Sequence, residues 1–470
     1  MTGEGPEALT ERAGRLKAEG RREEALRLYA EVVRMMPRHP IPEHNVAATL
    51  ADLHRFSEAE AATRRALSKG GRAPETWLLH GRALKGLDRF DEAEAAFREA
   101  IRGRPGFLDA HRALAELVWI RTEDAGAALK ALDIAMKAAP GAPGLPVLRA
   151  QVLSNAGDEG AALAALEVAA RMQPADATLM LALSSQAVRA GRPAEAVAAA
   201  ERAHVLMRGA PAADSTLCEA YLALGRVDEA LRAAERLRAA APDDQGVLAL
   251  LAICWRLVGD PRYPALYHYD GLVRAYTIET PRGWPTLSAY LDDLTVALGA
   301  LHATRAHPLG QSLRWGSQTN RNLLDVDHPA LKAFPQAVEG PIRSYMAALG
   351  QGPDPLRARN RRGYRISGIW SVRLRAGGFH IDHVHPDGWL SSACYIALPP
   401  TLKHAGREGW IKFGEPGPPT SPPLGPEHFV RPEPGRLVLF PSYMWHGTVP
   451  FEGDQPRLTV AFDVVPDRKR

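Results

Sequence analysis

Trp77-Leu78-Leu79-His80-Gly81-Arg82-Ala83-Leu84-Lys85-Gly86, then Phe90-Asp91-Glu92-Ala93-Glu94-Ala95-Ala96-Phe97-Arg98-Glu99-Ala100-Ile101 and Pro105, reads as two short helices and a stop. Small residues at Gly81, Ala83, Ala93 and Ala100 let the helices approach closely, while Trp77, Leu84, Phe97 and Ile101 fill the space between them. Proline just past a helix end cannot continue it, so Pro105 closes the unit. The unit recurs. Ala25, Ala59, Ala93, Ala128, Ala162, Ala196 and Ala230 each end a Glu-Ala or Ala-Ala phrase, at steps of 34, 34, 35, 34, 34 and 34 residues. Pro37, Pro105, Pro140, Pro174 and Pro242 keep the same beat, 68, 35, 34 and 68 residues apart. A register held through six steps marks stacked repeats, each too small to bury its own apolar face.

The copy at 77–105 resembles the tetratricopeptide repeat, with Gly and Ala at that family's positions. About seven copies cover residues 8–243, and residues 246–258 read as a closing helix. The expected architecture is multidomain α + β, opening with an all-α solenoid over residues 1–260. Stacked helix pairs of this kind curve into a groove, which implies a protein or peptide partner. A plain helical spacer is the alternative.

Past Gly259-Asp260-Pro261 the Ala/Arg/Glu-rich helices give way to Pro, Tyr, Trp and short β-like runs. Residues 286–304 and 329–349 keep helical apolar spacing. From about 366 onward Ser367–Leu374, Leu390–Leu398, Trp410–Phe413, Arg436–Phe440, Tyr443–Thr448 and Leu458–Val464 read as strands between Gly/Pro turns, as in a sandwich or jelly roll. Residues 414–434, rich in Pro and Gly, read as an irregular loop. Residues 261–470 thus form a second domain.

The bulk numbers narrow the function classes. A net charge of +4 over 470 residues, without a long basic block, gives no nucleic-acid footprint, and Arg468-Lys469-Arg470 reads as a solvated tail. No apolar run is long enough to span a bilayer and no basic-then-apolar leader is visible, so the expectation is a cytoplasmic protein without membrane association. Cys218, Cys254 and Cys394 are odd in number and widely spaced, which fits neither a disulfide frame nor a zinc knuckle.

The chemistry concentrates in Gly377-Gly378-Phe379-His380-Ile381-Asp382-His383-Val384-His385-Pro386-Asp387-Gly388-Trp389. Alternate residues of a strand share a face, so His380 with Asp382 and His383 with His385 are both available pairs. His446 lies far along the chain in Leu439–Gly447. Two near ligands and one distant histidine are the sequence form of a facial triad, which leaves open positions on iron. Arg457 follows His446 by eleven residues, with Thr459 beyond it; a guanidinium and a hydroxyl so placed can grip a carboxylate.

"GGFHIDHVHPDGWLSSACYIALP", "GRLVLFPSYMWHGTVPF" and "PRLTVAFDVVP" resemble the 2-oxoglutarate/Fe(II) oxygenase domain fused to bacterial tetratricopeptide repeats, within the prolyl-hydroxylase-like superfamily. "QSLRWGSQT" and "GWIKFGEP" fit the same group, so the likeness covers most of residues 262–466. The resemblance implies a double-stranded β-helix (jelly roll) with flanking helices, Fe(II) and 2-oxoglutarate as cofactors, and a dioxygenase that hydroxylates a C–H bond. It implies His446 as the distal ligand and Arg457, assisted by Thr459, for the far carboxylate of 2-oxoglutarate. Tyr395 is a further candidate to donate its hydroxyl to that cosubstrate, or else a core residue.

The chain departs from the family where the near ligands should be. The usual pair is His-x-Asp or His-x-Glu, found here only as His380-Ile381-Asp382. The pair beside the Pro386-Asp387-Gly388 turn is His383-Val384-His385, and its place at the strand end makes it the preferred reading, with His380/Asp382 as the alternative. Three neutral imidazoles leave bound Fe(II) one unit more positive than a triad with one carboxylate. Two other function classes stay open: a repeat scaffold with a catalytically degenerate barrel, and a three-histidine metalloenzyme that uses no oxo-acid. Arg314 and Gln318 are weaker candidates for the pocket mouth. Trp370, Trp389, Trp410 and Trp445 read as packing, and His268, His302, His307 and His404 as ordinary surface or core residues.

Overall fold

The computed structural model describes residues 4–139, 141–142, 144–361, 363–403 and 406–467. Pro140, His404 and the Arg468–Arg470 tail lie outside the described residues. By internal contacts the chain forms two compact units, one ending at Val152 and the next starting at Leu153, inside the helix Leu145–Asn155.

Helices occupy the repeat region from Pro6 to Val258, and the marker residues fall where packing demands them. Ala25, Ala59, Ala93, Ala128, Ala162, Ala196 and Ala230 all lie in the second helix of a pair and are 0–3% exposed. Pro37, Pro105, Pro174 and Pro242 each follow such a helix by two residues, after Met35, Gly103, Met172 and Ala240. The closing helix runs Gln245–Val258 and is almost wholly apolar and buried.

Gly81 shows how close the helices come. A Cβ built there would stand 2.4 Å from the Phe97 ring, which is itself fully buried and has nowhere to turn. Gly81→Ala is therefore expected to destabilise the first unit by about 1–3 kcal/mol, the usual cost of overpacking. Urea unfolding followed by circular dichroism would show it; an unchanged midpoint would contradict the packing described.

In the second unit, nine strands follow the repeats among the described residues: β1 (Arg274–Thr277), β2 (Leu313–Gln318), β3 (Tyr364–His380), β4 (Leu390–Ala397), β5 (Ile411–Phe413), β6 (His428–Val430), β7 (Arg436–Pro441), β8 (His446–Thr448) and β9 (Arg457–Pro466). They form antiparallel sheets of order β1-β7-β4-β9-β3-β2 and β6-β5-β8. Helices Leu287–Leu301 and Pro329–Leu349 accompany them, the second with the bounds its apolar spacing predicts.

Some local expectations need correction. Tyr443–Trp445 is a turn, and only His446–Thr448 pairs as a strand, because Tyr443 and Trp445 are drawn into the core beside the repeats. The Pro/Gly-rich segment 414–434 is not wholly irregular, since β6 pairs with β5 within it. His383 and His385 lie beyond the end of β3 rather than on it, joined to β8 by a single bridge between His383 and His446. Strand β1 alternates half-buried and exposed residues over only four positions, too few to stand out in the sequence.

Within the second unit one apolar core continues from repeat helices into the strands. The Trp445 indole N–H donates to the carbonyl of Ala249 at 3.1 Å, and the Tyr267 hydroxyl donates to the carbonyl of Tyr443 at 2.8 Å. Arg256 pairs with Glu427 at 3.1 Å. The turn that precedes His446 is thus clamped to the last repeat helix. Among the described residues no helix is long and apolar enough to cross a membrane.

Candidate metal centre and anion pocket

A cavity of about 490 Å³ opens between the two sheets. Period-two geometry builds one wall: Arg457, Thr459, Ala461 and Asp463, alternate residues of β9, all face it. Trp370 and Val372 of β3 stand beside Ala461 and Thr459 in register. Ile411 of β5 and His446–Thr448 of β8 face them across the space.

His383, His385 and His446 meet here, with their ligand-capable nitrogens all within 4.8 Å of one another. His446 is buried and the other two are half-buried. The hydrogen bonds of the rings fix their tautomers. Nδ1 of His383 is 2.8 Å from the carbonyl of Ile381, Nδ1 of His446 is 2.9 Å from the carbonyl of Met444, and Nδ1 of His385 is 2.7 Å from a carboxylate oxygen of Asp463. Those oxygens can only accept, so each Nδ1 carries the proton and each Nε2 presents a lone pair. The Nε2 atoms of His383 and His385 lie 3.3 Å apart. Two lone pairs at that distance repel unless a cation or proton sits between them. Burial and the neighbouring rings oppose the proton: His383 is pushed down to about 3, and His446 is held well below the ordinary histidine range. The donor set therefore suits a metal ion.

The alternative near pair is placed differently. Asp382 forms an ion pair with Lys412 at 2.8 Å and does not line the cavity. Burial pushes its carboxyl up to about 6 even so. His380 lines the cavity, but its Nδ1 is engaged by the Ser312 hydroxyl at 2.9 Å, and its ring stacks on His383. The structure brings together 383, 385 and 446, and leaves Asp382 outside.

At the other end of β9, Arg457 is 2% exposed. Its guanidinium carbon stands 4.9 Å over the Tyr395 ring, and Nε and Nη1 have no hydrogen-bond partner among the described residues. Burial pulls the guanidinium below its ordinary range. Tyr395 is fully buried, and its hydroxyl lacks a partner too. The Thr459 hydroxyl has only a long 3.5 Å contact, to the carbonyl of Val372. A buried cation with idle donors beside a near-idle hydroxyl could take a carboxylate, since an unpaired buried charge is costly.

Gln318, a weaker candidate for the pocket mouth, lies at the end of β2 and lines the cavity, whereas Arg314 donates to the carbonyls of Gln311 and Leu313. Trp389 and Trp445 are packing residues, but Trp370 lines the cavity and stacks on His385. His302 is buried between the Ser317 and Ser371 hydroxyls, and His268 is exposed. Sequence reasoning missed Asp463 and Ser312. Counting by twos from Arg457 reaches Asp463, the one acid in that strand. Ser312, in a loop distant along the chain, left no comparable signal.

Residues 368–463 match the family model described as "Putative 2OG-Fe(II) oxygenase". Residues 78–143 and 187–254 each match a tetratricopeptide-repeat model. The chain carries tetratricopeptide repeats and a domain of that oxygenase family. No curated protein matches it. Among solved structures it is similar to a tetratricopeptide repeat protein from Parabacteroides merdae, at 15% identity over 53% of this chain and 98% of that one, with a TM-score of 0.38. It is also similar to the C-terminal part of a repeat protein from Cytophaga hutchinsonii, at 14% identity over 52% and 99%, TM-score 0.36. The OM64 repeat domain of Arabidopsis aligns at 25% identity over 24% and 93%, TM-score 0.23.

Proposed function

We propose that the oxygenase domain is an Fe(II)- and 2-oxoglutarate-dependent dioxygenase acting as a hydroxylase, and that the repeats of residues 1–260 recruit its protein or peptide substrate. In this reading residues 261–470 fold as a double-stranded β-helix, with the two sheets as its halves and the cavity between them. The observation that carries it is the pairing of three converging imidazole lone pairs with a buried guanidinium, two of whose nitrogens lack hydrogen-bond partners, in one cavity.

His383, His385 and His446 would hold the metal through Nε2, each ring oriented by its Nδ1 hydrogen bond. Arg457 would bind the far carboxylate of 2-oxoglutarate by charge-assisted hydrogen bonds, with Thr459 adding a donor and Tyr395 supporting the guanidinium from beneath. Bound iron supplies the redox chemistry, coupling O2 and the decarboxylation of 2-oxoglutarate to succinate with C–H hydroxylation. The protein contributes orientation and a shielded cavity in which those charges are strong.

The test is succinate formation by the purified full-length chain in air, with and without Fe(II). Iron-dependent succinate is expected even without the true substrate, through uncoupled turnover. No turnover together with no 2-oxoglutarate binding would leave a repeat scaffold with an inactive barrel as the better account.

A further inference from the structure

The three imidazoles are not held alike. His383 and His446 are each oriented by a neutral backbone carbonyl, but His385 is oriented by a carboxylate. Asp463 accepts from His385 Nδ1 at 2.7 Å, and the same oxygen accepts from the Ser391 hydroxyl at 2.8 Å. Ser391 is 2.9 Å from the Ser442 hydroxyl, and the His385 amide donates to the Ser442 carbonyl at 3.0 Å. Gly388 leaves room for this layer, since a Cβ there would stand 2.3 Å from Ser442 Oγ. The Trp370 ring stacks on His385.

Among the described residues no lysine or arginine pairs with Asp463; its ion-pair contact is with His385. Arg457 cannot serve, because six residues of extended strand separate the two by roughly 20 Å. A carboxylate that is only about one-fifth exposed, set against a ring whose Nδ1 proton it already holds, calls for positive charge beyond that ring. The position beyond the ring is where the three Nε2 atoms converge.

We propose that Asp463 is a positioning residue that supplies, through His385, the negative charge that a coordinating carboxylate gives a two-histidine site. This rests on the metal-centre reading above and goes beyond it. Fe(II) with three neutral imidazoles has a net charge of two; adding Asp463 brings the assembly back to one, the value of a triad with one carboxylate. The acid has moved from the ion to the outer layer. The site thereby keeps its preference for a divalent cation, while His385 stays fixed in the tautomer that leaves Nε2 free.

The experiment titrates the metal-free full-length protein with Co(II) alone, and compares the unaltered chain with Asp463→Asn and Asp463→Glu. Asn is nearly isosteric and keeps an acceptor for both His385 and Ser391, so it removes charge and little else. Its Co(II) affinity is expected to fall by roughly 10- to 100-fold, as for outer-layer changes generally. The melting temperature of the metal-free protein should stay unchanged. Glu keeps the charge and is expected to hold Co(II) more tightly than Asn does. Affinity retained in Asp463→Asn, or Asn binding as well as Glu, would assign the residue to hydrogen bonding alone and overturn the proposal. If the unaltered chain binds no Co(II), the metal-centre reading fails first, which separates the two outcomes.

Discussion

Arg457→Leu is expected to make the ligand-free protein more stable while abolishing its response to 2-oxoglutarate. The two effects have one cause. In the absence of an anion, two guanidinium nitrogens are buried without hydrogen-bond partners, and the Tyr395 ring beneath returns only part of the lost hydration. Leucine fills much of the same space without a charge to bury, and replacing buried charge with apolar groups is worth about 1–4 kcal/mol. The same change removes the group proposed to grip the far carboxylate. Losing one partner of a buried charge-assisted pair costs about 2–5 kcal/mol, or roughly 30- to 5,000-fold in affinity. Thermal melts with and without metal plus 2-oxoglutarate would show the crossing: the variant melts higher alone, and only the unaltered chain shifts upward with ligand. A variant that melts lower alone and still shifts would mean that Arg457 is paired within the fold and is not the anion site.

His446→Ala is expected to eliminate stoichiometric metal binding, weakening it by more than the ~10- to 100-fold typical of outer-layer changes. His446 is the buried member of the set, seated edge-on against Phe440 at 4.6 Å and fixed by the turn that the repeat helix clamps. Among the described residues, these three histidines are the one group of metal-capable side chains whose ligand atoms converge. Asp382→Asn provides the contrast. Its carboxylate serves Lys412 outside the cavity, so metal binding should survive the change. Metal content after gel filtration decides between the two near pairs. Loss in Asp382→Asn with retention in His383→Ala would reverse the assignment.

How much of this was legible beforehand depended on which residues carried the information. The 34-residue beat of the buried alanines is local and repeated, so the helical pairs could be read from sequence, down to the prolines that end them. His383, His385, His446 and Arg457 stood out in the sequence through their spacing and a family likeness, and the three histidines do converge in the fold. Two kinds of feature were not. Tyr443–Trp445 has the composition of a strand, but tertiary contacts with Tyr267 and Ala249 pull it into a turn. Ser312 and Lys412 act through contacts 68 and 30 residues away along the chain, a separation that no local pattern encodes. Asp463 lies between these cases. Its alternation with Arg457 was visible, but its hydrogen bond to His385 needed the register of β9 against β3 and β4.

Metal and oxo-acid should bind together in this one cavity. Under exclusion of air, the purified chain should be titrated with Fe(II) and then 2-oxoglutarate while its visible spectrum is recorded. A charge-transfer absorption that needs both additions, saturates at one equivalent of each and is absent in Arg457→Leu is the predicted result. A spectrum unchanged by either addition, from a folded chain that retains no iron, would contradict it.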